Sequence, residues 1–148
     1  MEQSKRKQKE KILVLATAQK SSLRLIEYGA EVAAECDSEL HILHVQQGDN
    51  VFQGNESLQL LENLAEFGYR QGGILHLACE QDVAAYIGQF AAQEKITQVI
   101  LGRPRTQGAG KKKRINQFER ILGALPEGIE VRLYPSLGEA EEENRKIG

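Results

Sequence analysis

Hydrophobic residues along the chain gather into short runs, separated by longer stretches in which they recur every three or four positions. Five runs have the length and β-branched content of strands: KILVLA from Lys11, LHILHV from Leu40, GILHLA from Gly73, QVILG from Gln98 and EVRLY from Glu130. The first and fourth are nearly continuous in apolar residues, as expected for strands covered on both faces. Four helical stripes fill the gaps. Leu25, Ile26, Gly29, Val32, Ala33 and Cys36 form the first, after Ser21 and Ser22 as expected N-caps. Leu58, Leu61, Leu64, Ala65 and Gly68 form the second, within SLQLLENLAEFG. Val83, Ile87, Phe90 and Ala91 form the third, with Asp82 or a neighbour as its cap. The fourth carries Ile115, Phe118, Ile121, Leu122 and Leu125; it is expected to begin near Ile115 and to stop at Pro126 and Gly128.

Strict alternation of strand and helix predicts an α/β fold: a single doubly wound open sheet of five parallel strands, order 3-2-1-4-5, with right-handed crossovers and helices on both faces. No internal repeat interrupts the alternation, and the longest irregular stretch, Gln46 to Glu56, follows the second strand. The expected division is a basic N-terminus over 1–10, one domain over 11–135 and an acidic tail over 136–148.

Composition narrows the function. A chain of 148 residues that is 41% hydrophobic is long enough to bury a core as one domain. A net charge of −2 means that any affinity for polyanions must be local. The opening SKRKQKEK has no apolar segment after it, and no apolar run approaches the roughly 20 residues of a membrane span. Neither a signal peptide nor membrane insertion is expected. The cysteines, Cys36 and Cys79, lack C-x-x-C spacing and read as reduced side chains of a cytoplasmic protein.

In open α/β sheets, ligands bind beyond the carboxyl ends of the strands, where strand order reverses. With the first strand central, the loops there are ATAQKSS (Ala16 to Ser22) and GRPRTQGAGKKKRIN (Gly102 to Asn116). Anions would be attracted by Arg103, Arg105, Arg114 and the following helix N-terminus together. The competing reading is a solvated cationic loop. Neither strict phosphate signature is present: no G-x-x-x-x-G-K-[ST], and no G-x-G-x-x-G after a strand. GAGKKK, Gly108 to Lys113, is expected to be part of the loop.

With these residues placed, the chain resembles the universal stress protein family over about residues 10 to 135. KILVLATAQKSSLRLIEYGAEVAAECDSELHILHV is similar to that family's strand–loop–helix–strand opening. In the family, an Asp commonly ends the first strand, and a G-x-x-G-x9-G-[ST] pattern holds the ribose and phosphates of ATP. Here Thr17 takes the place of the Asp, Gly102 matches the first glycine, Arg105 stands at the second, and Ile115 and Asn116 stand at the last pair. Within the family the chain most resembles the stress-protein-like domain of Kdp-type potassium-sensing histidine kinases, through GRPRTQ and QFERIL.

The resemblance implies a non-catalytic regulatory domain that binds an adenine nucleotide, ATP, AMP or cyclic di-AMP, with magnesium present only through its phosphates. The implied site residues are Ala16, Thr17, Ala18, Ser21, Gly102, Arg103, Arg105, Arg114 and Asn116, with backbone groups around Val45 on the adenine. The serine element associated with cyclic di-AMP is partial, since Ser21 and Ser22 are adjacent, and HVQQG carries no aromatic–threonine element. Arginine at the second glycine gives up close backbone approach and supplies a fork of donors instead. Weaker ATP binding than in glycine-bearing members, or a different anionic ligand, is expected.

His41 and His44 point to opposite faces of a strand and cannot clamp one metal, while His76 could neighbour either. No nucleophile has a base nearby by spacing, so catalysis is not expected; slow ATP hydrolysis is the weak alternative. The Lys111 to Arg114 run has no interleaved aromatics, which argues against specific nucleic-acid binding. The fifth strand, at a sheet edge, is expected to pair with a second copy through Val131 and Leu133. The remaining partner expectation is a regulatory protein or a larger sensor or transporter. A ligand-free dimeric scaffold is the alternative function.

Overall fold

Five parallel strands form one sheet: β1 (Lys11–Leu15), β2 (Glu39–Gln47), β3 (Gly73–Glu80), β4 (Gln98–Gly102) and β5 (Glu130–Tyr134), in the order β3-β2-β1-β4-β5. They alternate with α1 (Ser21–Cys36), α2 (Asn55–Arg70), α3 (Val83–Gln93) and α4 (Lys111–Ala124). The structure is a computed structural model and describes residues 9–17, 21–47 and 55–135. Both the alternation and the strand order agree with the expectation from sequence. Most of the two charged ends, and most of the irregular stretch after β2, lie outside the described residues.

The period of two along each strand divides the core into two layers. Ile12, Val14, Leu40, Ile42 and Ile100 pack with Leu25, Ile26 and Val32 of α1 and with Leu61 and Leu64 of α2. Leu13, Leu43, Val99 and Leu101 pack with Ile87, Phe90 and Ala91 of α3, and Phe118 and Ile121 of α4 lean on this second layer. Fully burying one such side chain contributes about 1.5–3 kcal/mol before chain entropy is counted. Helix α1 lies so close to β1 that a Cβ at Gly29 would stand 2.3 Å from Val14 Cγ2. Only glycine permits that approach.

Two local expectations are corrected. Ser21 and Ser22 are the first residues of α1, not caps before it. The buried Ser22 hydroxyl accepts from the Thr17 N–H at 2.9 Å and lies 3.1 Å from Thr17 Oγ1, tying the β1–α1 turn to the helix. Helix α4 starts at Lys111, not near Ile115, so the lysines of GAGKKK form its first turn and only the glycines belong to the loop. That turn is solvated and holds no apolar residue, so hydrophobic spacing cannot reveal it. Gly108 and Gly110 adopt φ of 89° and 78°, and they swing the chain into the helix. Asp82 behaves as expected: it caps α3, accepting from the Ala85 N–H at 3.1 Å.

The amino end of the sheet is closed by polar side chains bonded to one another. Buried Gln98 accepts from Arg132 Nε at 2.7 Å and donates to Glu10 at 3.2 Å. Thr97 Oγ1 accepts from the Lys11 N–H at 2.9 Å, and Lys11 Nζ donates to the Glu94 carbonyl at 2.9 Å. On the α3 face, Glu39 Oε1 lies 2.9 Å from His41 Nε2, and His41 Nδ1 lies 2.9 Å from His76 Nε2. The first contact places a proton on His41 Nε2, so its Nδ1 accepts from His76. Its hydrogen bond to His41 lowers the Glu39 pKa below the usual carboxylate value. Burial lowers that of His76, and repulsion from His41 in its protonated form adds to the shift.

Candidate functional site

Strand β1 stops short of β2 and ends level with β4. Its pairing with β2 ends at Leu15 opposite Leu43, extended by one rung from the Ala16 N–H to the Leu43 carbonyl at 2.9 Å. Strand β2 runs on to Gln47, still paired with β3 on its other side. On the opposite flank, β4 continues to Gly102 beside β5. A notch therefore opens over the carboxyl end of β1. Backbone polar groups in a strand alternate sides, and Leu43 faces β1, so the N–H and C=O of Val45 face the side that β1 has vacated.

One buried side chain binds the end of β1. In a continuing ladder the Val45 N–H would donate to the Ala16 carbonyl. Instead His44 Nδ1 donates to that carbonyl at 3.0 Å. His44 belongs to the α1–α2 side of β2, opposite to His41, as the spacing predicts. It is 5% exposed, and its Nε2 is a buried side-chain atom without a hydrogen-bond partner among the described residues. Leaving such a group unpaired costs about 1–3 kcal/mol. Sequence spacing identifies this histidine only as facing away from His41; its signal is its place, one residue before Val45 at the end of an apolar strand.

The β4–α4 turn forms the other wall. Arg114, one turn into α4, donates from Nη1 to the Ala109 carbonyl at 2.7 Å, from Nη2 to Gln107 at 2.9 Å, and to Arg105 from Nη2 at 3.2 Å and Nε at 3.3 Å. Its guanidinium thus fastens the turn from inside. Arg105 is exposed and pairs with no carboxylate among the described residues. Helix α4 has no capping side chain at Gly110, and Lys111, Lys112 and Lys113 follow directly. Three cations at a helix N-terminus oppose the macrodipole, so this end gains stability from any anion that approaches it.

The expected site residues therefore separate. Thr17, Val45 and Gly102 stand at the ends of β1, β2 and β4 around the notch, Ala16 forms its floor, and Arg105 follows three residues beyond Gly102. Arg103 turns toward the far strand: its N–H donates to the Tyr134 carbonyl at 3.1 Å and its Nε to the Pro135 carbonyl at 2.7 Å. Asn116 lies in the second turn of α4, exposed. Ser21 opens α1, while Ala18 lies outside the described residues. Among the described residues no group of three His, Cys, Asp or Glu side chains could hold a metal ion, and Cys36 and Cys79 are free thiols.

Comparison with known proteins follows this geometry. No family model matches the chain. A universal stress protein from Archaeoglobus fulgidus superimposes with a TM-score of 0.60 at 15% identity, over 90% of this chain and 98% of that one. A structure of the universal stress protein from Archaeoglobus fulgidus in complex with dAMP gives 0.60 at 13% identity over 85% and 97%. A universal stress family protein from Burkholderia pseudomallei gives 0.56 at 17% identity over 86% and 97%. This is the universal stress protein fold. In sequence, the chain is similar to the sensor protein KdpD of Mycobacterium tuberculosis, 25% identical over 129 residues. That match covers 84% of this chain and 14% of the sensor, so the chain spans a small part of the length of that relative. In the universal stress protein fold, the notch over β1 occupies the switch point at which strand order reverses, where ligands of doubly wound sheets bind.

Proposed function

We propose that the chain is a non-catalytic regulatory domain of the universal stress protein family that binds an adenine nucleotide between the carboxyl ends of β1 and β4. The observation that carries this reading is the notch over β1, with the Val45 backbone on the β2 wall and the basic, uncapped start of α4 following β4. Solved neighbours of this fold in complex with cAMP and with dAMP support the choice of ligand class, and the similarity to KdpD supports a signalling role within or beside a larger sensor.

The residues present fit such a ligand. Val45 offers a backbone donor and acceptor to the base, and Thr17 offers a hydroxyl to the ribose. Phosphates meet the Arg105 fork and the open N–H groups at the start of α4. Arg114 positions the turn that carries Arg105. Bound phosphate relieves the mutual repulsion of Lys111, Lys112 and Lys113, which is how occupancy changes the turn and is passed on to a partner.

Calorimetry with ATP, AMP and cyclic di-AMP tests the reading. Micromolar-range binding of at least one is expected, and flat traces for all three reject it. A second reading, a dimeric scaffold acting by protein contact, is favoured by one observation: β5 is an edge strand, and its Val131 is 38% exposed. Two copies pairing along β5 through Val131 and Leu133 would cover that edge. Val131→Glu should then convert a dimer to a monomer in light scattering without unfolding it.

A further inference from the structure

Three polar side chains on the α3 face of the sheet form one continuous hydrogen-bonded chain that the nucleotide reading does not use. Glu39 and His41 stand two apart on β2, hence on one face, and His76 meets them from the edge strand β3. Glu39 Oε1 accepts from His41 Nε2 at 2.9 Å, and His41 Nδ1 accepts from His76 Nε2 at 2.9 Å. His41 is 4% exposed, whereas Glu39 is exposed and His76 is half-buried. Both ends of the chain therefore reach the surface, and its middle does not. In the neutral rings the last lone pair is on His76 Nδ1, which has no hydrogen-bond partner among the described residues.

We infer that Glu39, His41 and His76 form a pH-responsive proton relay, in which a proton taken up at His76 Nδ1 comes to rest as positive charge on buried His41. Two transfers make up the step: a solvent proton binds His76 Nδ1, and the Nε2 proton of His76 crosses to His41 Nδ1. No proton is released, and both hydrogen bonds survive, the second one reversed so that His41 Nδ1 donates to His76 Nε2. His41 is the better seat for the charge because both of its N–H groups are then bonded, one of them to the Glu39 carboxylate. A charge left on His76 would lie farther from Glu39. The other charged groups nearby are Lys9 and Lys11 beside Glu39, Glu10 and Lys95 on the same cleft, and Glu94 at the end of α3. Glu94 favours a charge on His76, but Lys11 at 3.6 Å offsets that pull. From α3 itself, Phe90 packs edge-on against His76 at 4.8 Å and adds no charge. A second proton has no such place: each ring would point an N–H at the other, and the side-chain bond between β2 and β3 would break. The lowered pKa of His76, from burial and from protonated His41, has this sign. The relay thus takes one proton with every bond kept and loses its tie across the strands with the next.

Nitrogen NMR of the imidazoles in the full chain, from about pH 8 to about pH 5, tests the relay. The first step should turn both His41 nitrogens to the protonated type. At the same midpoint His76 should exchange tautomer, its proton moving from Nε2 to Nδ1. His76 should hold two protons only after a later, more acidic step. A first step that doubly protonates His76 and leaves His41 Nδ1 bare overturns the inference, as does titration of the two rings without tautomer exchange. Glu39→Gln supplies a second arm. Glu39 is exposed, and the amide oxygen can still accept from His41 but carries no charge. The midpoint of the first step should fall by about one pH unit in this variant, and an unmoved midpoint overturns the inference. If the variant does not fold, the wild-type spectra decide alone. All of these spectra are recorded without nucleotide, so failure of the relay leaves the nucleotide site standing.

Discussion

At the amino end of the sheet, buried Gln98 holds Arg132 at 2.7 Å, whereas at the carboxyl end buried His44 has an Nε2 with no partner among the described residues. Lysines differ in the same way. Lys11 is bonded to Glu94, while Lys111, Lys112 and Lys113 crowd a helix start without a capping side chain. A cleft of about 230 Å³ does exist at the amino end, lined by Lys9, Glu10, Lys11, Glu39 and Lys95. Its charges have both signs, three lysines beside two glutamates, and largely offset one another. One end spends its polar groups internally and contributes stability; the other leaves His44 Nε2 without a partner among the described residues.

That contrast can be broken or sharpened by experiment. The largest effect is expected at the closed end: Gln98→Ala leaves Arg132 and Glu10 without a shared partner and should cost about 2 kcal/mol, read as a lower Tm, with nucleotide affinity unchanged. A loss of affinity in that variant would show that the ends are not independent. Arg105→Ala at the open end should do the reverse, weakening ATP about tenfold, near 1.4 kcal/mol, with Tm unaltered. Gly110→Ala lies between the two. Its φ of 78° disfavours a side chain by about 1 kcal/mol, and the new Cβ would sit 3.3 Å from Arg114 Nη1, so stability and ATP affinity should both fall modestly.

The smallest effect is in pH. His76 is held neutral by burial, reinforced by repulsion from His41 once that ring is protonated, so the folded state binds its proton less readily than the unfolded chain does. The resulting stability is complete above the ordinary histidine value of about 6.5 and is lost as pH falls through the lowered value. Glu39, lowered by its hydrogen bond to His41, acts with the same sign in the more acidic carboxylate window. His76→Phe should flatten the upper step of the denaturation midpoint against pH and spare the lower one. An unchanged upper step would assign it to another group.

Strands and their order were legible because each strand is a short apolar run, and alternation with helices leaves few ways to bury both layers. The cap at Asp82 was legible for the same local reason. The start of α4 was not, since Lys111 to Lys113 have no apolar member to mark their period, and the serines of α1 looked like caps because capping chemistry favours them at any helix start. The turns at Thr17 and Arg105 could be placed at the carboxyl edge of the sheet from topology alone. The separation of Arg103 from Arg105, and the use of Arg114 as a fastener, could not.

Amino-acid order determined by itself which segments are apolar, where they repeat, and so the parallel sheet with its switch point over β1. Tertiary structure alone decided which polar groups are satisfied. Whether a histidine or an arginine is spent or available depends on carbonyls and carboxylates distant in sequence, as with His44 at Ala16 and Arg103 at Pro135. Hydrophobic burial follows from local pattern, whereas hydrogen bonding is directional and is settled only when the partners meet.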